Sequence, residues 1–280
     1  MYLALSPGAV SIRPTTLDEA ISAALAGPFE GLEIDLNLAR QVGAEGTKDR
    51  LRAAGLHAAG FGLPIDFRKD DAPSQDALDA FARDAELAAE IGLTRCATWI
   101  MPASDKRTFD ENFAFHAERL RPLAKTLADN GIAFGLEFVG PKTLRSQFAH
   151  EFVYDIAGMS KLAEAVGANL GFLVDSFHWY CTGSDLEALR GITLSQVVYV
   201  HINDARPGRG PEEQVDSERE LPAETGVIDA KAFLTELKAK GYDGPLVAEP
   251  FLDLSHLPDD ATRARLIADA GRRMLAVAFG

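Results

Sequence analysis

Four residues with metal-binding side chains each follow directly on an apolar run: Glu137 after IAFGL, Asp175 after GFLV, His201 after VVYV and Glu249 after PLVA. They stand 38, 26 and 48 positions apart. Taken singly, each has a plain alternative. Glu137 could pair with an arginine, Asp175 could cap a following helix, His201 could be a satisfied core histidine, and Glu249 before Pro250 could simply end its strand. Taken together, they repeat one position at the ends of four successive apolar runs. Three carboxylates gathered at one buried point repel one another unless a cation neutralises them. Three oxygen donors and one imidazole suit Mn²⁺ first, with Mg²⁺ or Co²⁺ as alternatives, better than a thiolate-preferring ion. An octahedral shell would keep two positions for the carbonyl and hydroxyl oxygens of a sugar. Such chelation acidifies the intervening C–H by stabilising an enediolate.

The elements that must bring these residues together are eight short apolar runs: Tyr2–Leu5, Gly31–Leu36, His57–Gly62, Thr94–Ile100, Ala133–Phe138, Gly171–Val174, Val197–Ile202 and Leu246–Glu249. Helical patterns lie between them at Thr16–Leu25, Leu38–Ala54, Ser74–Ile91, Phe109–Asn130, Phe152–Val166, Asp185–Leu189, Asp229–Lys240 and Asp259–Phe279. Phe113, Leu120, Leu123 and Leu127 recur at amphipathic-helix offsets, and Asn130-Gly131 and Lys240-Gly241 supply helix stops. Strict alternation implies parallel strands with helical crossovers, and eight units imply a closed (β/α)₈ TIM barrel, an α/β fold, as one domain over residues 1–280. In that fold the C-terminal strand ends converge on one rim, where the four residues would face one point. The long polar stretch Asp204–Thr225 reads as an insertion after the seventh strand. No GxGxxG follows the first strand and no GxxxxGK[ST] occurs, which removes support for dinucleotide and P-loop binding.

Around this centre, His178 lies three residues after Asp175 and can orient a ligand or contact substrate. Arg206 and Arg219 in the long loop are candidates to bind a hydroxyl, carboxylate or phosphate, although loop arginines are commonly solvated. Trp99 ends strand four and is a candidate wall for a sugar face. Glu33 and Asp35 alternate on strand two, with Glu33 the better candidate for the barrel interior. Lys142 and Arg145 follow Glu137 and could neutralise the site or bind a substrate carboxylate.

A net charge of −14, from 42 acidic and 28 basic residues, opposes binding to nucleic acid and to anionic membranes. Cys96 and Cys181 are far apart with no CxxC spacing, so neither a disulfide framework nor a thiolate site is expected, which fits a reducing cytoplasmic setting. The N-terminus has no basic segment leading an apolar run of signal-peptide length, and no 18-residue apolar span follows.

At GLEFVGP, GFLVDSFHW, VVYVHINDA, RELPAETGVID and GYDGPLVAEPF the chain resembles the sugar phosphate isomerase/epimerase family of xylose isomerase-like TIM barrels. The resemblance covers nearly the whole chain. It implies that Glu137, Asp175, His201 and Glu249 are the four metal ligands, that the two glutamates exchange a substrate proton from opposite faces, and that His178 contacts a substrate oxygen. It implies a metal-dependent isomerase or epimerase of a monosaccharide or keto-sugar, in a homodimer or homotetramer. A lyase that uses the same α-proton abstraction remains the alternative. Family members acting on abasic DNA need an Asp-x-His pair after strand seven, where this chain has Asp216-Ser217-Glu218, and the family's PGEG turn appears here as Pro222-Ala223-Glu224-Thr225-Gly226.

Overall fold

In the computed structural model, which describes residues 1–167 and 169–280, eight parallel strands close into a barrel. They are β1 (Tyr2–Leu5), β2 (Gly31–Glu33), β3 (His57–Gly62), β4 (Arg95–Trp99), β5 (Ala133–Glu137), β6 (Leu170–Asp175), β7 (Val197–Ile202) and β8 (Pro245–Ala248). Each pairs with its sequence neighbours, and β8 closes on β1. This is the expected TIM barrel. Buried outward-facing side chains such as Phe134, Phe172, Val200 and Leu246 join the surrounding helices in the main core.

The barrel interior explains the placement of the chemistry. Ala4, Ala59, Leu173, Tyr199 and Val247 form an inner cluster with Ala97 packed against it. Strand side chains alternate between faces, so residues two further along point the same way but reach the open mouth. From Ala4, Ala97, Leu173, Tyr199 and Val247 those residues are Ser6, Trp99, Asp175, His201 and Glu249, whereas Phe61, two after Ala59, joins the outer core. Register places Glu137 beside Trp99 and Asp175 beside His201.

Helix starts follow capping chemistry more closely than apolar periodicity. β2 stops at Glu33, short of the expected Leu36, because the Asp35 side chain accepts from Asn37 N at 2.7 Å and opens a helix at Leu36. That helix runs to Ala54 but breaks at Gly43, which adopts φ 74°. The helix expected from Phe152 begins at Ile156, where Asp155 caps Gly158 N at 2.7 Å. Features outside the expected elements include a ribbon pairing Ala103–Ser104 with His150–Glu151 and short helices over Lys142–Arg145 and Ser176–Cys181. No helix among the described residues is long and apolar enough to cross a membrane.

Candidate metal centre

One donor atom from each of Glu137, Asp175, His201 and Glu249 lies within 4.8 Å of the other three. His201 Nδ1 is the hub, 3.3 Å from Glu137 Oε1, 3.3 Å from Glu249 Oε2 and 3.9 Å from Asp175 Oδ2. Glu137, Asp175 and His201 are buried. Glu137 Oε1 and His201 Nδ1 nevertheless have no hydrogen-bond partner among the described residues, since their mutual contact lies outside hydrogen-bond geometry. Buried polar atoms are ordinarily satisfied. Two orphaned donor atoms facing one point, with two further carboxylates beside them, fit a divalent cation.

Burial pushes the Glu137 carboxyl up to about 7. Burial acts the same way on Glu249, but His201 and Arg219 outweigh it and hold that carboxyl at about 2. Burial opposes a charge on His201, yet the Glu249 and Glu137 carboxylates override it and raise its pKa well above the usual imidazole value. The His201 shift reports the negative charge gathered around that imidazole.

Neighbouring groups fix the ligands. Asp175 Oδ1 accepts from Phe177 N at 2.6 Å, and Asp175 Oδ2 accepts from Asn203 Nδ2 at 3.0 Å. Asn203 Oδ1 in turn accepts from Glu249 N at 3.0 Å, so one amide side chain ties two ligand-bearing strands together. Sequence gave no warning of Asn203 beyond its position two residues after His201, on the same strand face.

Arg219 enters this centre from the loop after β7 and is buried. Its Nη1 donates to Asp175 Oδ2 at 2.9 Å and Glu249 Oε2 at 3.2 Å, while Nη2 donates to Asp216 Oδ1 at 2.9 Å. Nη2 also lies 3.1 Å from His178 Nε2. His178 sits inside the Ser176–Cys181 helix, where a strand-to-helix loop was expected, and is buried against the cluster. Burial and the Arg219 charge press its pKa down to about 3, so the ring is neutral. Gly140 packs tightly on this helix, since a Cβ there would meet His178 O at 2.5 Å. The loop carrying Arg219 hangs on Asp204, whose carboxylate accepts from Ala205 N, Thr225 N, Gly226 N and Ile228 N at 2.7–3.0 Å.

Across the mouth, Glu33 accepts from Ser6 Oγ at 2.8 Å and from Tyr199 OH at 3.0 Å. The structure therefore turns Glu33 into the barrel as expected, while Asp35 caps its helix. Tyr199 owes its room to Gly60, where a Cβ would stand 2.8 Å from the tyrosine ring. A cavity of about 540 Å³ opens beside Glu33, lined also by Ser6, Arg13, Asp35 and Asn37. Trp99 occupies the rim beside Glu137 and is 44% exposed.

The other expected basic contacts turn elsewhere. Arg206 is largely exposed and pairs with Glu220 at 3.3 Å and Glu218 at 3.8 Å, acids that the same loop folds back against it. Lys142 pairs with Glu212 at 2.8 Å. Arg145, at the end of the short helix Lys142–Arg145, donates to Gly140 O and to Glu151 Oε1 at 3.2 Å.

A closed parallel barrel with a carboxylate and histidine cluster at its C-terminal rim defines the class: a TIM barrel with a candidate metal centre. The chain belongs to the xylose isomerase-like TIM barrel family, whose model matches residues 21–275. Inosose isomerase from Bacillus velezensis is 33% identical over 140 residues, 48% of this chain and 45% of the relative. The chain spans about half the length of the curated relatives it matches. Among solved structures, a xylose isomerase domain protein from Alicyclobacillus acidocaldarius is similar with TM-score 0.85 and 29% identity, over 99% of both chains. An IolI protein with a bound zinc atom shares the fold with TM-score 0.77 and 19% identity, over 99% of this chain and 98% of the other.

Proposed function

We infer that this chain is a divalent-metal-dependent isomerase or epimerase of a monosaccharide or related keto-sugar. The observation that carries this reading is the pair Glu137 and Glu249. They come from β5 and from the residue just after β8, and each brings one carboxylate oxygen within 3.3 Å of His201 Nδ1. Two carboxylates that approach one point from different strands can take a proton from a carbon on one side and return it on another. The inosose isomerase relatives support chemistry beside a ring ketone.

Glu137, Asp175, His201 and Glu249 would hold the ion, and three oxygens with one imidazole nitrogen favour Mn²⁺. When bound, it supplies Lewis acidity that lowers the barrier to removing a proton beside a carbonyl. Arg219 keeps the Asp175 and Glu249 carboxylates in place, Asn203 fixes the spacing of their strands, and Trp99 and Glu33 bound the mouth where a polyhydroxylated substrate would lie.

The test is solvent exchange. Mn²⁺-loaded protein incubated with keto-sugars in D₂O should introduce deuterium beside the carbonyl with no loss of a substituent. Loss of a group would convert the reading to a lyase. Absence of exchange together with absence of metal in the purified protein would overturn it. Glu249→Gln should abolish exchange, and an unchanged rate in that variant would remove the proton relay.

A further inference from the structure

The expected anchors for an acidic substituent each face an acceptor of the protein itself. Arg219 is spent on Asp175, Glu249 and Asp216, Arg206 on Glu220 and Glu218, Lys142 on Glu212, and Arg145 on Gly140 O and Glu151. A different arginine reaches the mouth. Arg68 follows β3 in the segment FRKDD, and its guanidinium carbon lies 4.4 Å from the centre of the Trp99 ring and 4.6 Å from that of Phe67. One edge is pinned: Nε donates to Trp99 O at 3.2 Å, and Nη2 donates to Trp99 O at 2.6 Å and to Thr98 Oγ1. At the other corner, Nη1 donates to no acceptor among the described residues. Its carboxylate contact is Asp66 Oδ1 at 3.6 Å, beyond hydrogen-bond reach.

The position matters as much as the free donors. Trp99 shares the interior face of β4 with Ala97 and is in register with Glu137. Arg68 is therefore fixed at the rim beside a proposed metal ligand. Its side chain is only 26% exposed, with aromatic rings packed on it. Guanidinium is weakly hydrated and presents fixed, coplanar N–H donors, so Arg68 itself gives up little solvation on meeting an oxyanion and offers donors already oriented.

We propose that Arg68, stacked on Trp99, is the subsite for an anionic group of the substrate, so that the enzyme acts on an acidic sugar whose carboxylate or phosphate is held at Nη1. This deepens the sugar isomerase reading and rests on it for the word sugar; the anion subsite itself is tested without metal or turnover. Arg13 is the natural control, because it lines the cavity beside Glu33 and donates only to the carbonyls of Gly8 and Ile12.

The experiment titrates metal-free protein with acetate, inorganic phosphate, 5-keto-D-gluconate, D-fructose 6-phosphate and neutral D-fructose by calorimetry, in the parent, Arg68→Gln, Arg68→Lys and Arg13→Gln proteins. In the parent, at least one charged sugar should bind about tenfold more tightly than D-fructose. Arg68→Gln should erase that advantage, Arg68→Lys should keep part of it, and Arg13→Gln should leave it intact. The preferred member of each pair, acetate or phosphate and keto acid or sugar phosphate, tells which oxyanion the corner accepts. No anion preference in the parent, a preference that survives Arg68→Gln in protein with unchanged circular dichroism, or one lost only in Arg13→Gln would overturn the proposal. Mn²⁺ titration of the same samples judges the four-ligand centre separately.

Discussion

Arg219 donates to Asp175 at 2.9 Å, so a carboxylate of the candidate metal centre already faces a permanent buried cation. That guanidinium offsets part of the repulsion among Asp175, Glu249 and Glu137, and it also opposes an incoming metal ion. Removing one partner of a buried ion pair costs about 3–5 kcal/mol because the other charge is left uncompensated. Arg219→Met should therefore lower the melting temperature of metal-free protein. Saturating Mn²⁺ should then raise it by more than it raises the parent, since the ion replaces the missing positive charge. Thermal unfolding with and without Mn²⁺ reads both effects, and equal metal-induced shifts would show that Arg219 and the ion do not share a field.

Asp204 decides whether Arg219 can be there at all. Its two carboxylate oxygens gather four backbone N–H groups from both ends of the loop after β7. Asn has one accepting oxygen, so Asp204→Asn turns an NH₂ group toward two of those donors and should cost about 2–4 kcal/mol. Limited proteolysis should find the 206–218 segment cut about tenfold faster, with the barrel helices still protected. An unchanged cleavage rate would mean that Arg219 and its ion pairs hold the loop unaided.

The four ligand positions are readable from sequence because each is a polar residue that ends an apolar strand, and strand ends in a closed barrel converge whatever the loops do. Loops obey no such rule. Arg206 and Arg219 lie in one polar stretch with similar prospects, yet Arg219 is buried in the centre and Arg206 is turned outward by Glu218 and Glu220. Arg68 carries no periodic signal, and only the fold brings it onto Trp99, 31 residues further along the chain. The Ser176–Cys181 helix, six residues long, is too short for apolar spacing to reveal. Asp175 works both as its cap, through Phe177 N, and as a candidate ligand, two roles weighed from sequence as alternatives.

His116 offers a titration remote from the candidate metal centre. It packs flat on Phe152 with ring centres 4.7 Å apart, and burial pulls its pKa down from 6.5 to about 4. The folded state keeps it neutral while the unfolded chain protonates it, so between pH 6.5 and pH 4 the unfolded state binds more protons. The stability linked to His116 is complete above pH 6.5 and is lost as pH falls through that window, by about 3 kcal/mol at most. Urea unfolding in His116→Phe should show a shallower decline across this range than the parent does. Parallel declines would place the acid sensitivity elsewhere.

Tyr199 and Glu33 make the most direct test of the inner barrel, because their hydrogen bond at 3.0 Å crosses the mouth from β7 to β2. Burial raises the Glu33 pKa, and the Ser6 and Tyr199 hydroxyls hold it down. Tyr199→Phe removes one of those donors, so the Glu33 pKa should climb further. A buried carboxyl with a raised pKa binds its proton more tightly folded than unfolded, so its penalty is absent below the unfolded pKa and grows as pH rises through the folded one. Tyr199→Phe should accordingly cost about 1–3 kcal/mol at neutral pH and less near pH 4. In a Glu33→Gln background the same substitution should cost only about 1 kcal/mol, that of a neutral hydrogen bond, at both pH values. A cost that is independent of pH in the Glu33 protein would mean that the carboxyl is already protonated at neutral pH and that Tyr199 makes only a neutral hydrogen bond to it.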